Sequence, residues 1–357
     1  MWGKRDDMVV HETDPYNAEP PPHALAGHLV TPVHTFYVRN HGQVPTVDAG
    51  SWRLRVDGLV DEPLSLGLAD LRRDFEHVRS LVTLQCAGNR RSGLMSFRDI
   101  PGEHPWGGGA TSTAWWTGVR LSDVLARAGV QTGAAHVWFE APDVAGDAEG
   151  AQPYGSSVPV DRALSPDVLL AWGMQDQDLP PVHGAPLRAV VPGYIGARSV
   201  KWLSRVGVHD EPSDNYFQQV AYRMLAADVD PATTAPGDGF PLGPVALGCE
   251  VLAPSGPVAA GRVGLQGYAH VGEGRHVVRV DVSTDGGSSW VQASLDEQLD
   301  GVWRLWECDV EVPVGPCRVT VRAWDSSATC QPEAAAYVWN PKGYVNSSWA
   351  TVDLVGR

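Results

Sequence analysis

The run "HVVRVDVSTDGGSSWVQASL", residues 276–295, alternates apolar and polar side chains on either side of Asp285-Gly286-Gly287. Period two puts every second side chain on one face of an extended strand, and an Asp-Gly-Gly break is a hairpin signal. "VWRLWECDVEVP" (302–313), "CRVTVRAWDSS" (317–327) and "AAAYVWN" (334–340) continue the pattern. Strands recurring about every ten residues predict a β-sandwich of immunoglobulin type, in preference to a barrel.

Upstream lies "DVDPATTAPGDGFPLGPVALG" (228–248), dense in proline and glycine, which reads as a linker. The chain therefore divides into an arm over 1–28, a first domain over 29–228 and the all-β domain over 229–357. The arm is polar, proline-rich and without periodicity. In the first domain "WRLRVDGLV" (52–60) alternates and ends in an Asp57-Gly58 turn, while "HVWFEA", "DVLLAW" and "LRAVV" are short apolar runs of strand length. "LSDVLARAGV" (121–130) predicts a helix with Ser122 as N-cap, an apolar stripe at Leu121, Val124, Leu125 and Ala128, and Gly129 as its stop. Strands and helices in no strict βαβ order predict an α+β first domain rather than a doubly wound sheet.

A formal net charge of -15 over 357 residues argues against a nucleic-acid partner and makes any cluster of arginines informative. No apolar segment approaches the ~20 residues that span a bilayer, and the N-terminal residues do not form a signal peptide. The five cysteines (Cys86, Cys249, Cys308, Cys317, Cys330) are odd in number and lack framework spacing, which fits a reducing compartment. The expectation is a cytoplasmic protein, periplasmic if a precursor was processed. The 14 tryptophans call for a large core or a subunit interface.

The chemistry concentrates in three places. In "TLQCAGNRRSG" (83–93), Cys86 stands at a strand-to-turn junction beside Arg90 and Arg91. A thiol next to two guanidiniums should have a lowered pKa and serve as nucleophile or ligand, although a lone cysteine is by default a core filler. No other cysteine sits at a zinc spacing, and no histidine is marked as the base of a Cys/His hydrolase. "FYVRNHG" (36–42) carries Arg39, Asn40 and His41 out of an apolar strand. In "HGAPLRAVVPGYIGARSVKW" (183–202) a glycine-rich loop allows close backbone approach, with Arg198 and Lys201 placed to hold a phosphate.

Together with Asp143 in "FEAPD", these stretches occur in the order seen in the sulfite oxidase family of molybdenum enzymes, which the chain resembles from about residue 28 to about residue 350. "VSTDGGSSW" and "QPEAAAYVWNPKG" resemble that family's C-terminal dimerisation domain. The resemblance implies a haem-free, bacterial-type member in which Cys86 is the one protein ligand of molybdenum, the other sulfurs coming from molybdopterin. It implies cofactor contacts from Tyr37, Val38, Arg39, Asn40, His41, Asp143, His183, Arg188, Ser199, Val200 and Lys201. It places the substrate pocket at Arg39, Arg91, Trp106, Tyr222 and Lys342. The reaction implied is two-electron oxygen-atom transfer that turns sulfite into sulfate. A homodimer is implied as well, with electrons leaving to an external acceptor, a cytochrome or dioxygen, because no C-x-x-C-H haem motif occurs.

Lys342 departs from the arginine usual in sulfite-oxidising members: it keeps the charge and loses the bidentate fork. "VRNHGQVP" (38–45) also resembles the molybdenum domain of assimilatory nitrate reductases, so a reductase of nitrate or another oxyanion or S-oxide is the alternative. In those reductases the position of Lys342 is typically uncharged, so cations at both Arg39 and Lys342 favour sulfite. From another class, a binding module working through its immunoglobulin-like domain would leave this arginine cluster without a role.

Overall fold

The computed structural model describes residues 1–146 and 151–357. Two sheets carry the first domain. One runs Gln177–Asp178, Leu169–Met174, Thr111–Arg120, Val78–Gln85, with Arg188–Val190 also paired to Leu169–Met174. The other runs Leu64–Leu66, Leu54–Gly58, Arg205–His209, His136–Val144, Pro153–Pro159, and holds one parallel pair, Leu54–Gly58 with Arg205–His209. Short helices pack on them, so the domain is α+β as the sequence predicts.

Local chemistry explains individual elements. Gly58 closes its strand at φ +91°, and a Cβ there would lie 2.2 Å from the Val208 carbonyl oxygen, so only glycine fits. The helix Leu121–Ala128 buries Leu121, Val124, Leu125 and Ala128, and Gly129 at φ 71° ends it by donating its N–H back to Leu125 and Ala126. Ser122 is not its cap. The strand Thr111–Arg120 runs straight into the helix, which makes Arg120 the N-cap and puts Ser122 inside the first turn.

The C-terminal part is a two-sheet sandwich. One sheet holds Gly248–Ala253, Gly261–His270, Arg304–Val312 and Ser294–Leu295; the other holds Gly256–Val258, Ala350–Gly356, Gly315–Asp325, Val277–Ser283 and Val291–Gln292. Alternating inward residues such as Trp306, Cys308, Val310 and Val312 meet Val280, Val282, Val319 and Val321 in a common core. The turn at 285–287 forms as the pattern requires, with Gly286 and Gly287 at positive φ and Ser283 Oγ accepting the Gly287 N–H at 2.9 Å. Trp106, Trp116, Trp202, Trp303 and Trp306 are among the largest fully buried side chains, which accounts for part of the tryptophan load.

Residues 1–28 contain an antiparallel hairpin, Val9–Thr13 with Tyr16–Glu19, although their sequence is aperiodic. The second strand is wholly buried. Its polar side chains are spent on other segments. Glu19 accepts the N–H groups of Gly107 (2.6 Å) and Gly109 (2.9 Å), and Asn17 Oδ1 accepts that of Asn40 (2.6 Å).

The two domains are joined through buried polar contacts. Arg90, itself in the left-handed region at φ 65°, pairs with Glu250 at 3.0 Å and donates to the carbonyls of Asn346, Ser348 and Trp349. Tyr268 reaches back to Gly108 O, and Asn89 donates to the Tyr268 hydroxyl. Removing Arg90 takes the cationic partner from Glu250 and a donor from each of three carbonyls, of which Ser348 O keeps Gln331 Nε2. Arg90→Ala should therefore cost roughly 3–5 kcal/mol of stability in urea unfolding, and an unchanged midpoint would show that the junction holds without it.

Candidate active site: a buried thiol in a cationic cavity

Cys86 follows the last residue of the strand Val78–Gln85, and the chain then turns sharply into the helix Arg91–Phe97. The turn needs Gly88, where a Cβ would sit 2.8 Å from the guanidinium carbon of Arg91. The thiol lines a cavity enclosing about 680 Å³ of atom-free space, its open mouth included. The Gly88 N–H points at Sγ from 3.4 Å.

Burial pushes the thiol pKa up, and Arg91 and Arg39 pull it down by less. This reverses the expectation of a thiol acidified by its neighbours. Arg90 is turned away to the second domain. Arg91 is held by Glu103 at 3.0 Å and by the carbonyls of Gly343 and His104, with its face on the Tyr344 ring. Adjacency in sequence supplied the charges, and the fold directs most of their field elsewhere.

The inner wall is cationic. Arg188 lies over Trp116 and donates to the carbonyls of His183 (2.9 Å) and Ser199 (2.8 Å); burial brings its pKa down to about 10. Lys201 donates to the Arg39 carbonyl at 3.0 Å and to the side-chain oxygen of Asn40. Burial first, then Arg188, holds the Lys201 pKa well below the usual lysine range. His183 is likewise held well below the usual histidine value by burial and then by Lys4, Lys201 and Arg188. Tyr37, Val38, Asn40, Ser199 and Val200 complete this wall, and Ser199 Oγ accepts the Val191 N–H. Gly196 belongs to it too, because a Cβ there would stand 2.8 Å from the Tyr37 hydroxyl.

Among the described residues one carboxylate lines the inner cavity, Asp143. Burial pushes its pKa up to about 6, Lys201 drawing it partly back, and its Oδ1 has no hydrogen-bond partner. Arg198, expected beside Lys201, is instead buried behind the wall, bonded to Leu242 O and Ser156 Oγ. The glycine-rich loop turns its guanidinium away from the cavity.

Toward the surface, Arg39 Nη2 lies 3.0 Å from His41 Nδ1, and His41 Nε2 lies 2.7 Å from the Tyr222 hydroxyl. Tyr222 stacks on Tyr344, ring centroids 5.5 Å apart. Arg39, His41, Lys342 and Tyr344 share an outer chamber with Glu12, Glu103 and His104. Arg91 and Trp106 line neither chamber. Trp106 is buried in the cluster that holds Phe36, Tyr37 and Cys86, against the His11 ring. Tyr344, Tyr154 and Lys4 take part in or support the site without having been singled out in the sequence. For Lys4 a signal existed. The chain has three lysines, Lys4, Lys201 and Lys342, and all three end at this site.

Asp143 sets a pH dependence whose sign is fixed. Its folded pKa lies above its unfolded value, so it costs nothing below about pH 4 and destabilises as pH rises through about 6. Asp143→Asn should raise Tm by a few degrees at pH 8 and leave it unchanged at pH 4. Equal Tm values at both pH values would remove the burial argument.

Residues 41–217 match the family model of the oxidoreductase molybdopterin binding domain, and residues 252–356 that of the Mo-co oxidoreductase dimerisation domain. The chain is 45% identical to sulfite oxidase of Gallus gallus, over 96% of this chain and 76% of that protein. It is 41% identical to mitochondrial sulfite oxidase of Homo sapiens, over 97% of this chain and 65% of that one. A more distant match, 37% identical, is nitrate reductase (NADH) of Spinacia oleracea, of which the chain spans 41%. Among solved structures it resembles the sulfane dehydrogenase SoxCD from Paracoccus pantotrophus, with TM-score 0.81, 26% identity, and 96% and 85% of the two chains covered.

Proposed function

The chain belongs to the sulfite oxidase family of molybdopterin oxidoreductases, and from that premise we propose that it oxidises sulfite to sulfate at a molybdenum centre in the cavity at Cys86. The observation that carries the reading is a buried thiol facing a cationic wall, with Arg188 buried and Lys201 half-buried, on which Asp143 is the one carboxylate among the described residues. A pterin with a dithiolene and a phosphate fits those residues. Its phosphate would answer Arg188, Lys201 and His183, its N–H groups would answer the unpartnered Asp143 Oδ1, and a soft metal would answer the thiol. Tyr37, Val38, Asn40, Ser199 and Val200 would hold the remainder through backbone and side chain. Bound there, the cofactor supplies two-electron oxygen-atom transfer.

The chain's own residues do the rest. A dianion entering the outer chamber leaves water, and each cation at about 4 Å offsets roughly 4 kcal/mol of that cost at an effective dielectric near 20. Arg39 and Lys342 supply two such charges. Arginine has no acceptor, so His41 Nδ1 accepts from Arg39; a neutral His41 then carries its hydrogen on Nε2 and donates to Tyr222 Oη. Tyr222 Oη is thereby set as an acceptor toward His41 at the edge of the cavity. Tyr344 holds that ring flat from the other side. Arg91 acts through the field it places on Cys86. Nitrate reduction is less well supported, because the nitrate reductase match is the more distant.

The match of residues 252–356 supports a homodimer through the sandwich, which we read as immunoglobulin-type. Electrons would pass to a separate acceptor, a cytochrome or dioxygen. Among the described residues no helix is long and apolar enough to cross a membrane. Five unpaired cysteines support a cytoplasmic location.

Metal analysis with paired assays, sulfite with an artificial acceptor and nitrate with an artificial donor, tests the proposal directly. Cys86→Ser should lose molybdenum and sulfite turnover while keeping its circular dichroism spectrum, and full turnover in that variant would sink the ligand assignment. Lys342→Arg should lower KM for sulfite about fivefold through one added charge-assisted hydrogen bond. An unchanged KM would put the residue outside the substrate path.

A further inference from the structure

Lys4 lies before the part of the chain that matches the molybdopterin-binding model, which begins at residue 41, yet its side chain is buried against the cavity wall. It is 7% exposed, and its Nζ sits 2.6 Å from Val33 O, 2.8 Å from Phe36 O and 2.7 Å from His183 Nε2. An ammonium has three hydrogens and no lone pair. Two carbonyls that can only accept take two of the hydrogens. The third faces Nε2, which must then accept it.

A histidine accepting at Nε2 is neutral and carries its hydrogen on Nδ1. Double protonation is opposed from every side that packs on the ring: by Lys4 from the N-terminal arm, by Arg188 and Lys201 from the wall, and by burial. Phe36 fixes the ring plane, its centroid 5.2 Å away at 75°. His183 lines the cavity, so Nδ1 is the ring nitrogen left for a ligand there.

We propose that Lys4 is a positioning residue of the cavity, holding His183 neutral with its hydrogen on Nδ1 so that the ring offers one uncharged N–H donor to the anionic group of the cofactor. The inference rests on the cofactor reading above only for what receives that hydrogen bond. A neutral donor suits a wall that already carries Arg188 and Lys201, because it adds direction without adding to their repulsion. It also gives the N-terminal arm a part in the site: the residues that anchor Lys4, Val33 and Phe36, lead directly into Tyr37–His41.

Magic-angle-spinning ¹⁵N NMR of the purified holoenzyme, labelled in histidine and held at pH 6, tests this. Burial brings the Lys4 pKa to about 7, so the ammonium form is present at that pH. The His183 signals are those lost in His183→Gln. Wild type should show a protonated Nδ1 and an unprotonated Nε2. Lys4→Met, which keeps the apolar stem, should move the hydrogen to Nε2 or mix the tautomers, and should speed cofactor loss by about tenfold, in the range seen when supporting partners of ligands are removed. A protonated Nε2 in wild type overturns the proposal, and so does an unchanged tautomer in Lys4→Met, even if that variant loses cofactor. The wild-type spectrum needs no variant to fold. If sulfite is not turned over while His183 still carries its hydrogen on Nδ1, the functional reading fails and the role of Lys4 stands.

Discussion

Arg188 and Lys4 are buried and Lys201 half-buried around one cavity whose inner wall carries a single carboxylate among the described residues, and the rest of the site is organised around that imbalance. A buried cation costs several kcal/mol even after relaxation, and the usual remedy is a paired carboxylate. With 42 acidic residues against 27 basic ones, this chain has carboxylates to spare. It withholds them here and satisfies the cations with carbonyl oxygens instead: His183 and Ser199 for Arg188, Arg39 for Lys201, Val33 and Phe36 for Lys4. Carbonyls fix direction and leave the net charge uncancelled. Stability is given up locally, and an anion that enters recovers it.

Three separated pieces of chain must meet for that arrangement to persist. The arm contributes Lys4, and Asn17 pins the Asn40 backbone. The first domain contributes the thiol and most of the cationic wall. The sandwich contributes a loop that grips the thiol turn from behind: Val345 N–H donates to Ala87 O at 2.8 Å, Gly343 O takes Arg91, and Asn346 O takes Arg90. Tyr344 from the same loop stacks on Tyr222. The second domain is thus a structural part of the site, and a change at its edge reaches Cys86 through its covalent neighbour Ala87.

Period-two alternation made most of the sandwich legible, because its core faces one way along each strand; it failed at 334–340, where Ala335–Tyr337 is a 3-10 turn and no strand forms. The helix 121–128 was legible for the same reason at its own period. Its cap was not, since Ser122 is a good cap only where a strand does not run directly into the helix. The hairpin at 9–19 left no pattern because Asn17 and Glu19 face inward to serve loop N–H groups, so polar residues occupy buried positions. The "CAGNRR" turn and the "FYVRNHG" strip were readable as a group, yet the direction of each arginine was not. Arg90 and Arg198 turn out to be structural. Lys4 was written in the sequence as one of three lysines, a count that gains meaning only once the other two are seen at one cavity.

Cys86 shows why direction matters more than adjacency. The thiolate is the reactive form, so a thiol that burial keeps protonated is protected from oxidation and exchange. A metal held by Cys86 would take the place of that proton, which would couple its binding to pH. Arg39 and Arg91, too weakly directed to ionise the thiol by themselves, still lower the energy of a thiolate once a metal shares its charge. Arg39 lines both the inner cavity and the outer chamber, where it would also meet an incoming oxyanion. Its carbonyl is held by Lys201, so the same residue is tied to the inner cationic wall. Charge on a cofactor and charge on a substrate would thus meet one set of cations, held mostly by carbonyl oxygens on the inner wall and set beside Glu12 and Glu103 in the outer chamber.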